Sequence, residues 1–98
     1  RLQTLLSTQP ESAPLNFALG NLYSRQSRWA EAQQAYFQSY ALDPDNPDYL
    51  FNVAVSLDHL RQNKLAAQYY RMALNAAETR RSAFDQNAVG KRLLELQQ

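Results

Sequence analysis

The sequence predicts an all-α protein, and three observations support this fold class. Apolar residues recur three and four positions apart, for example at Leu15, Leu19 and Tyr23, which is the period of an amphipathic helix. The chain has no isoleucine and no alternation of β-branched residues long enough for a strand. The order of small, aliphatic and aromatic residues in LGNLYSRQSRWAEAQQAYFQSYALDP, residues 19–44, also returns 34 positions later.

Composition limits the possible functions. The 98 residues suffice for one domain, and 45% hydrophobic residues can bury a core. A formal net charge of +1 gives no broad field for nucleic acid or an anionic membrane. The absence of cysteine excludes disulfides and thiolate catalysis, and no apolar run reaches the roughly 18 residues of a membrane helix. Because the first residue is Arg1 and not methionine, we expect a fragment of a longer chain.

Local signals place the first two predicted helices. Ser12 can accept a hydrogen bond from a free amide of a helix that begins near Ala13. The polar stretch 24–28 then joins this helix to a second one as a hairpin. The second helix must stop before Pro44, because proline lacks an amide hydrogen and biases Asp43 away from helical geometry.

Similar signals place the later helices. Asn46 is a good cap for a third helix, with Pro47 at its first position. The stretch 61–64 joins the third helix to the fourth. Ser82 is predicted to cap the last helix, since Asp85 three residues later gives a weak capping-box pattern. The buried stripe of that helix is expected at Phe84, Ala88, Leu93 and Leu96.

Residues 34 positions apart match in size, and this spacing, here called the repeat length, carries a family resemblance. Residues 19–23 (LGNLY), then Ala32 and Tyr36, and finally Pro44 fit the tetratricopeptide pattern W-x2-L-G-x2-Y…A-x3-F…P. Asn16 stands in place of the tryptophan. The second unit fits more loosely. The chain resembles the tetratricopeptide repeat (TPR) family over essentially its whole length.

The resemblance implies a right-handed superhelical solenoid of antiparallel helix hairpins, closed by a C-terminal capping helix. Residues 1–12 then correspond to the second helix of a truncated preceding repeat, and residues 81–98 to the capping helix. Two repeats, 13–46 and 47–80, lie between them.

Gly20 has a predicted packing role. The two helices of its hairpin are expected to approach each other closely at that level, and Ala54 takes the same place in the second unit. A bulky side chain at Gly20 should therefore overpack the hairpin.

No group of residues in the sequence predicts an enzyme. His59 is the only histidine, so without a cysteine it cannot complete a convincing zinc site, and we interpret it as solvated or groove-lining. Glycine-rich phosphate loops, a serine elbow and an EF-hand loop are all missing. We expect no cofactor and no metal. Basic residues near the C-terminus are interpreted as charges that solvate the last helix, and not as a nucleic-acid site; they are Arg80, Arg81, Lys91 and Arg92.

The resemblance also implies a concave groove, lined by the first helices of successive hairpins, that receives an extended peptide or a partner helix. Carried over by phase, the predicted groove residues are Phe17, Asn21, Ser24, Arg25, Phe51, Asn52, Val55, Asp58, His59 and Gln86. For Phe17 and Phe51, partner contact and partial burial between neighbouring helices both stay open, because aromatic residues serve cores and binding sites alike.

One TPR subtype can be compared with the chain residue by residue. Asn21 and Asn52 match the two asparagines with which chaperone-binding TPRs hold a terminal carboxylate. Phe17, Ser82 and Gln86 stand where that subtype has basic residues, so the charge-assisted hydrogen bonds are missing. We therefore do not expect a full carboxylate clamp.

The sequence thus predicts a non-enzymatic protein–protein interaction module, an adaptor or scaffold that binds a peptide segment or helix with apolar anchors. The Ala- and Gln-rich composition suggests a larger bacterial protein of the cytoplasm or periplasm and, by analogy, a role in envelope, pilus or secretion assembly. Two alternatives stay open: a self-association domain that forms a homo-oligomer, or a substrate-presenting accessory domain of a longer enzyme.

Overall fold

A computed structural model describes residues 12–97, and every regular element in this range is a helix. The predicted all-α class is therefore confirmed over this range. The helix expected in residues 1–12 falls almost entirely outside the described residues, and the right-handed superhelix stays a prediction. The helices are α1 (Ala13–Arg25), α2 (Trp29–Leu42), α3 (Pro47–His59), α4 (Asn63–Ala76) and α5 (Gln86–Leu96).

The first four helices form two similar hairpins. Each helix packs against the next one along the chain, and connections of three residues join α1 to α2 and α3 to α4. Such short connections make the paired helices antiparallel. The first helices begin at Ala13 and Pro47, and the second helices begin at Trp29 and Asn63, so both pairs of starts are one repeat length apart.

Two helix starts lie where the capping residues predict them. The Ser12 hydroxyl accepts a hydrogen bond from the Leu15 amide at 3.1 Å. The Asn46 side-chain oxygen accepts hydrogen bonds from the amides of Asp48 and Tyr49 at 3.0 and 3.2 Å. Both side chains satisfy amides that have no partner inside the helix.

The last helix begins later than predicted. Its N-cap is Asp85, whose carboxylate accepts hydrogen bonds from the amides of Asn87 and Ala88 at 3.0 and 3.2 Å. The prediction that Ser82 caps this helix was wrong. A carboxylate accepts amide hydrogen bonds as well as a hydroxyl does, and its negative charge is also favoured at a helix N-terminus.

The later start changes which residues of α5 are buried. Val89 and Leu93 form the buried stripe, and Leu96 is half-buried. Ala88 is exposed, contrary to the prediction, because it lies one residue, or about 100°, away from Val89 around the helix. Phe84 is half-buried as predicted, but it lies in the connection before α5 and not in the helix.

Both hairpin turns end their first helix in the same way. After α1, the Arg28 amide donates to the Tyr23 carbonyl at 2.9 Å, and the Ser27 amide donates to the Ser24 carbonyl at 3.0 Å. These are the two hydrogen bonds of a Schellman motif, which requires a positive φ at its first residue beyond the helix cap. Ser27 has a φ of 59°, and Arg61, its counterpart in the second hairpin, has a φ of 64°.

The core lies between the hairpins and extends to α5. Tyr36 is only 1% exposed, and its ring lies directly against Gly20. This contact bears out the predicted close approach of α1 and α2 at Gly20. The remaining core residues of this cluster are Ala32, Val53, Ala54, Leu57, Ala66, Ala67, Tyr70, Val89 and Leu93.

Candidate functional site

Two neighbouring hollows share Phe51, a residue of the first helix of the second hairpin, in their lining. The first, here called the Phe17 hollow, has a volume of about 260 Å³. The second, the Val55 hollow, has a volume of about 220 Å³. The Phe17 hollow is lined by Phe17, Asp48, Phe51, Asn52, Ala83 and Phe84. The Val55 hollow is lined by Phe51, Val55, Tyr70, Asp85, Ala88, Val89 and Arg92.

Phe17 and Phe51 are both partly buried, and each also lines a hollow. The Phe17 ring lies 5.1 Å from the Tyr49 ring of α3, centroid to centroid. The Phe51 ring stacks on Phe84 with centroids 4.7 Å apart and planes 13° apart. Each ring is therefore held by a neighbouring segment while the rest of it lines a hollow. An aromatic pair of this kind contributes about 0.5–1.5 kcal/mol of interaction free energy beyond that from burial of its surface.

The connection before α5 completes the Phe17 hollow, and specific bonds hold it in place. The Ala83 amide donates to an Asp48 carboxylate oxygen at 2.9 Å. Near the start of α3, the Arg80 guanidinium forms a two-bonded ion pair with Asp43, at 2.9 and 3.2 Å. Hydrogen bonding from Arg80 lowers the pKa of the Asp43 carboxyl. These contacts place Phe84 over Phe51.

Beside the Val55 hollow, α3 is tied to α5 through Asp58. Its two carboxylate oxygens accept hydrogen bonds from Arg92 at 2.8 and 2.7 Å, and one also accepts from the Tyr70 hydroxyl at 2.9 Å. Hydrogen bonding from Arg92 lowers the pKa of Asp58, although burial opposes the shift. Burial, together with the neighbouring carboxylate, raises the pKa of Tyr70. Asp58 is therefore an ionised structural bridge.

The same carboxylate borders a third, polar hollow of about 430 Å³ with His59, Arg61, Asn63 and Arg92. His59 is exposed, and its ring stacks on Trp29 with centroids 3.8 Å apart and planes 3° apart.

Among residues 12–97, no group of three His, Cys, Asp or Glu side chains could hold a metal ion. No helix in that range is long and apolar enough to cross a membrane.

A family model described as tetratricopeptide repeat matches residues 15–48, which cover α1, α2 and the start of α3. Residues 15–48 are a tetratricopeptide repeat. No curated protein matches the sequence. TPRs are generally non-enzymatic repeats that mediate protein–protein interactions, so this part of the chain is an interaction module.

Within this TPR, two of the predicted groove residues hold the hairpin together. The Tyr36 hydroxyl lies 2.7 Å from the Asn21 side-chain oxygen and 3.2 Å from the Ser24 hydroxyl. Burial raises the pKa of Tyr36, so this hydroxyl stays protonated as a donor. Asn21 and Ser24 therefore join α1 to α2. Arg25 is exposed in the last turn of α1 and lines neither hollow beside Phe51.

The other asparagine of the TPR comparison has a different position. Asn52 donates to the Asp48 carbonyl at 2.8 Å and also lines the Phe17 hollow. The two asparagines thus have different roles: Asn21 bonds to Tyr36 within the first hairpin, whereas Asn52 lines a hollow. Gln86 was assigned to the groove one repeat length after Asn52, but it is the exposed first residue of α5, whereas Asn52 lies in the second turn of α3.

Four predicted groove residues line the two hollows, and three of them line the Phe17 hollow together with Phe84. Phe84 was not assigned to the groove from the sequence. The sequence did contain a signal for a groove position, because Phe84 falls only one position short of a full repeat length after Phe51. The predicted helix start at Ser82 obscured this role. The four residues are Phe17, Phe51, Asn52 and Val55.

Proposed function

We propose that the chain binds an extended apolar segment of a partner protein across the Phe17 and Val55 hollows. The observation that carries the proposal is that two mainly apolar hollows share Phe51 as a lining residue. Each is smaller than the roughly 300–1,000 Å³ of a typical small-molecule pocket. Each is therefore suited to one or two side chains of a peptide that passes over Phe51.

The polar groups around the hollows support an uncharged ligand. Asp48 accepts from the Ala83 amide, and Asp85 caps α5. Asp58 and Arg92 neutralise each other. The groups left to contact a ligand are mainly aromatic rings and aliphatic side chains, with the Asn52 amide at one edge. A negatively charged side chain entering here would lose hydration beside the Asp48 and Asp85 carboxylates, so aliphatic or aromatic anchors fit best.

We also propose that residues 47–80 are a second repeat and that the chain belongs to a larger scaffold or adaptor. The equal lengths of α3 and α1, and of α4 and α2, support the second repeat. The proposal includes a bacterial origin and a role in envelope, pilus or secretion assembly, which are supported by composition and analogy alone.

A library of random peptides displayed on phage tests the binding site directly. We expect selection on the immobilised chain to enrich peptides with aromatic or aliphatic anchors. Ala88→Glu should weaken their binding by about tenfold or more, because it places a carboxylate at the rim of the Val55 hollow. The matched control is Asn87→Glu, which adds an acidic side chain to the same exposed helix turn outside the hollow.

Both substitutions place an acidic residue in the first turn of α5, where the helix dipole favours it. Both variants should therefore fold, as circular dichroism can verify. Equal binding by wild type and Ala88→Glu would contradict the proposed site. A selection that enriches no peptide over an unrelated immobilised protein would contradict peptide binding altogether.

A further inference from the structure

The hollow beside His59, here called the polar hollow, differs in chemistry from the two hollows that share Phe51. Its volume is about 430 Å³. All of its lining residues have side chains that form hydrogen bonds, so a polar group of a ligand fits here better than an apolar anchor. The lining residues are Asp58, His59, Arg61, Asn63 and Arg92.

The polar hollow holds a positive charge that the other charges of its lining do not offset. The Arg92 guanidinium donates two hydrogen bonds to the Asp58 carboxylate, so these two charges compensate each other. Glu95, which also accepts from Arg92, lies outside the lining, and its 63% exposed side chain is screened by water. Arg61 is exposed, and none of the ion pairs among residues 12–97 involves it. Arg61 therefore makes the polar hollow attractive to an anion.

Arg92 connects this hollow to the proposed peptide site, because it lines both the polar hollow and the Val55 hollow. Phe51, Val55 and His59 follow one another at intervals of four residues in α3, so they lie on one side of the helix. Each interval spans about 6 Å, which an extended peptide covers with about two residues. A peptide that leaves the Val55 hollow along α3 therefore reaches the polar hollow within about two or three residues.

We infer that the bound segment carries an acidic side chain about two or three residues from its anchor in the Val55 hollow, and that this carboxylate pairs with Arg61 in the polar hollow. The inference rests on the proposed function and adds one charged contact to its apolar anchors. A guanidinium matches the two oxygens of a carboxylate with parallel hydrogen bonds. The Asn63 side-chain amide, in the same lining, supplies a further donor.

A carboxylate suits the polar hollow better than a more highly charged anion. A phosphate group carries about −1.5 to −2 charges at neutral pH, whereas Arg61 offers one compensating charge beside the Asp58 carboxylate. The same acid is disfavoured in the hollows that share Phe51, because Asp48 and Asp85 line them. The charges thus specify where along the peptide the acidic residue belongs.

The displayed peptide library separates this inference from the proposed function. We expect peptides selected on wild type to carry Asp or Glu about two or three positions from an aromatic or aliphatic residue, and peptides selected on Arg61→Gln to lack that preference. Lys64→Gln is the matched control and should keep the preference, because it removes an exposed positive charge at the start of α4, outside the lining. Apolar peptides without a preferred acid on wild type would overturn the inference and leave the proposed function standing. No enrichment of any peptide would overturn both.

Synthetic peptides measure the size of the effect on the unchanged protein. Two copies of a selected sequence, one with Glu and one with Gln at the acidic position, are titrated against wild type and against Arg61→Gln, whose fold circular dichroism verifies. We expect the change to Gln to weaken binding to wild type about threefold or more at low salt, as for an exposed ion pair. It should not affect binding to Arg61→Gln, because the partner charge is already missing. An equal loss on both proteins, or no loss on wild type, would overturn the pairing with Arg61.

Discussion

Replacing Gly20 with alanine would place a methyl group against the ring of Tyr36. The new Cβ would lie 2.5 Å from both Cδ1 and Cε1 of that ring, far inside ordinary contact. The ring has little room to move, because Tyr36 is 1% exposed and its hydroxyl lies 2.7 Å from the Asn21 oxygen. Overpacking of this kind costs about 1–3 kcal/mol.

Alanine also favours the helix over glycine by about 1 kcal/mol, so the net result must be worked from both effects. For Gly20→Ala we expect a net destabilisation of about 1 kcal/mol, or a fall in melting midpoint of about 4–8 °C. Gly90→Ala is the matched control, since nothing lies within 4 Å of its new Cβ. It should stabilise the protein by up to about 1 kcal/mol.

Urea and thermal unfolding followed by far-UV circular dichroism measure both variants. Because the propensity gain is common to the two substitutions, the difference between them isolates the clash with Tyr36. In a Tyr36→Leu background the penalty of Gly20→Ala should shrink, and the double-mutant cycle gives the coupling energy. If Gly20→Ala stabilised the protein as much as Gly90→Ala, the close approach of α1 and α2 would be refuted.

Two further predictions concern the turns and the bridge to α5. Arg61→Gly should raise the free energy of unfolding by about 1 kcal/mol, because only glycine adopts the positive φ of 64° without strain. Urea unfolding measures this change, with Arg61→Ala as the control. An equal gain in stability for Arg61→Ala would contradict the reasoning. Asp58→Asn should destabilise the protein by about 1 kcal/mol at pH 7, given the partial exposure of Arg92. Because folding lowers the pKa of Asp58 from 3.8, its contribution is complete above the ordinary value and is lost as pH falls through the lowered one. The stabilities of wild type and Asp58→Asn, measured by urea unfolding from pH 7 to 2, should therefore converge in acid, and a constant gap would contradict an ionised Asp58.

Much of the fold could be predicted because its causes are local. A side-chain oxygen at Ser12 or Asn46 acts on amides two or three residues away, so the sequence alone locates those helix starts. The need for a small residue at Gly20 likewise follows from the pattern of residues around it. The positive φ values at Ser27 and Arg61 could not be predicted, because neither residue is the glycine that marks such a turn.

The candidate site was less predictable because distant segments build it. Phe84 was assigned to a helix stripe. The bond from the Ala83 amide to Asp48 and the ion pair of Arg80 with Asp43 hold the connection over Phe51. Gln86 would match Asn52 in position only if α5 began one repeat length after α3, and α5 begins later than that. Local pattern specifies the two hairpins, whereas tertiary hydrogen bonds position the connection before α5.

The stacked rings of Trp29 and His59 give the molecule an internal optical probe. Trp29 is its only tryptophan and His59 its only histidine, and they belong to different hairpins. Separation of the two rings changes the surroundings of the indole, whereas loss of helix within one hairpin need not. Comparing tryptophan emission with far-UV circular dichroism during unfolding therefore distinguishes separation of the hairpins from their melting. The unlabelled chain can thus show whether its two hairpins separate before their helices unfold.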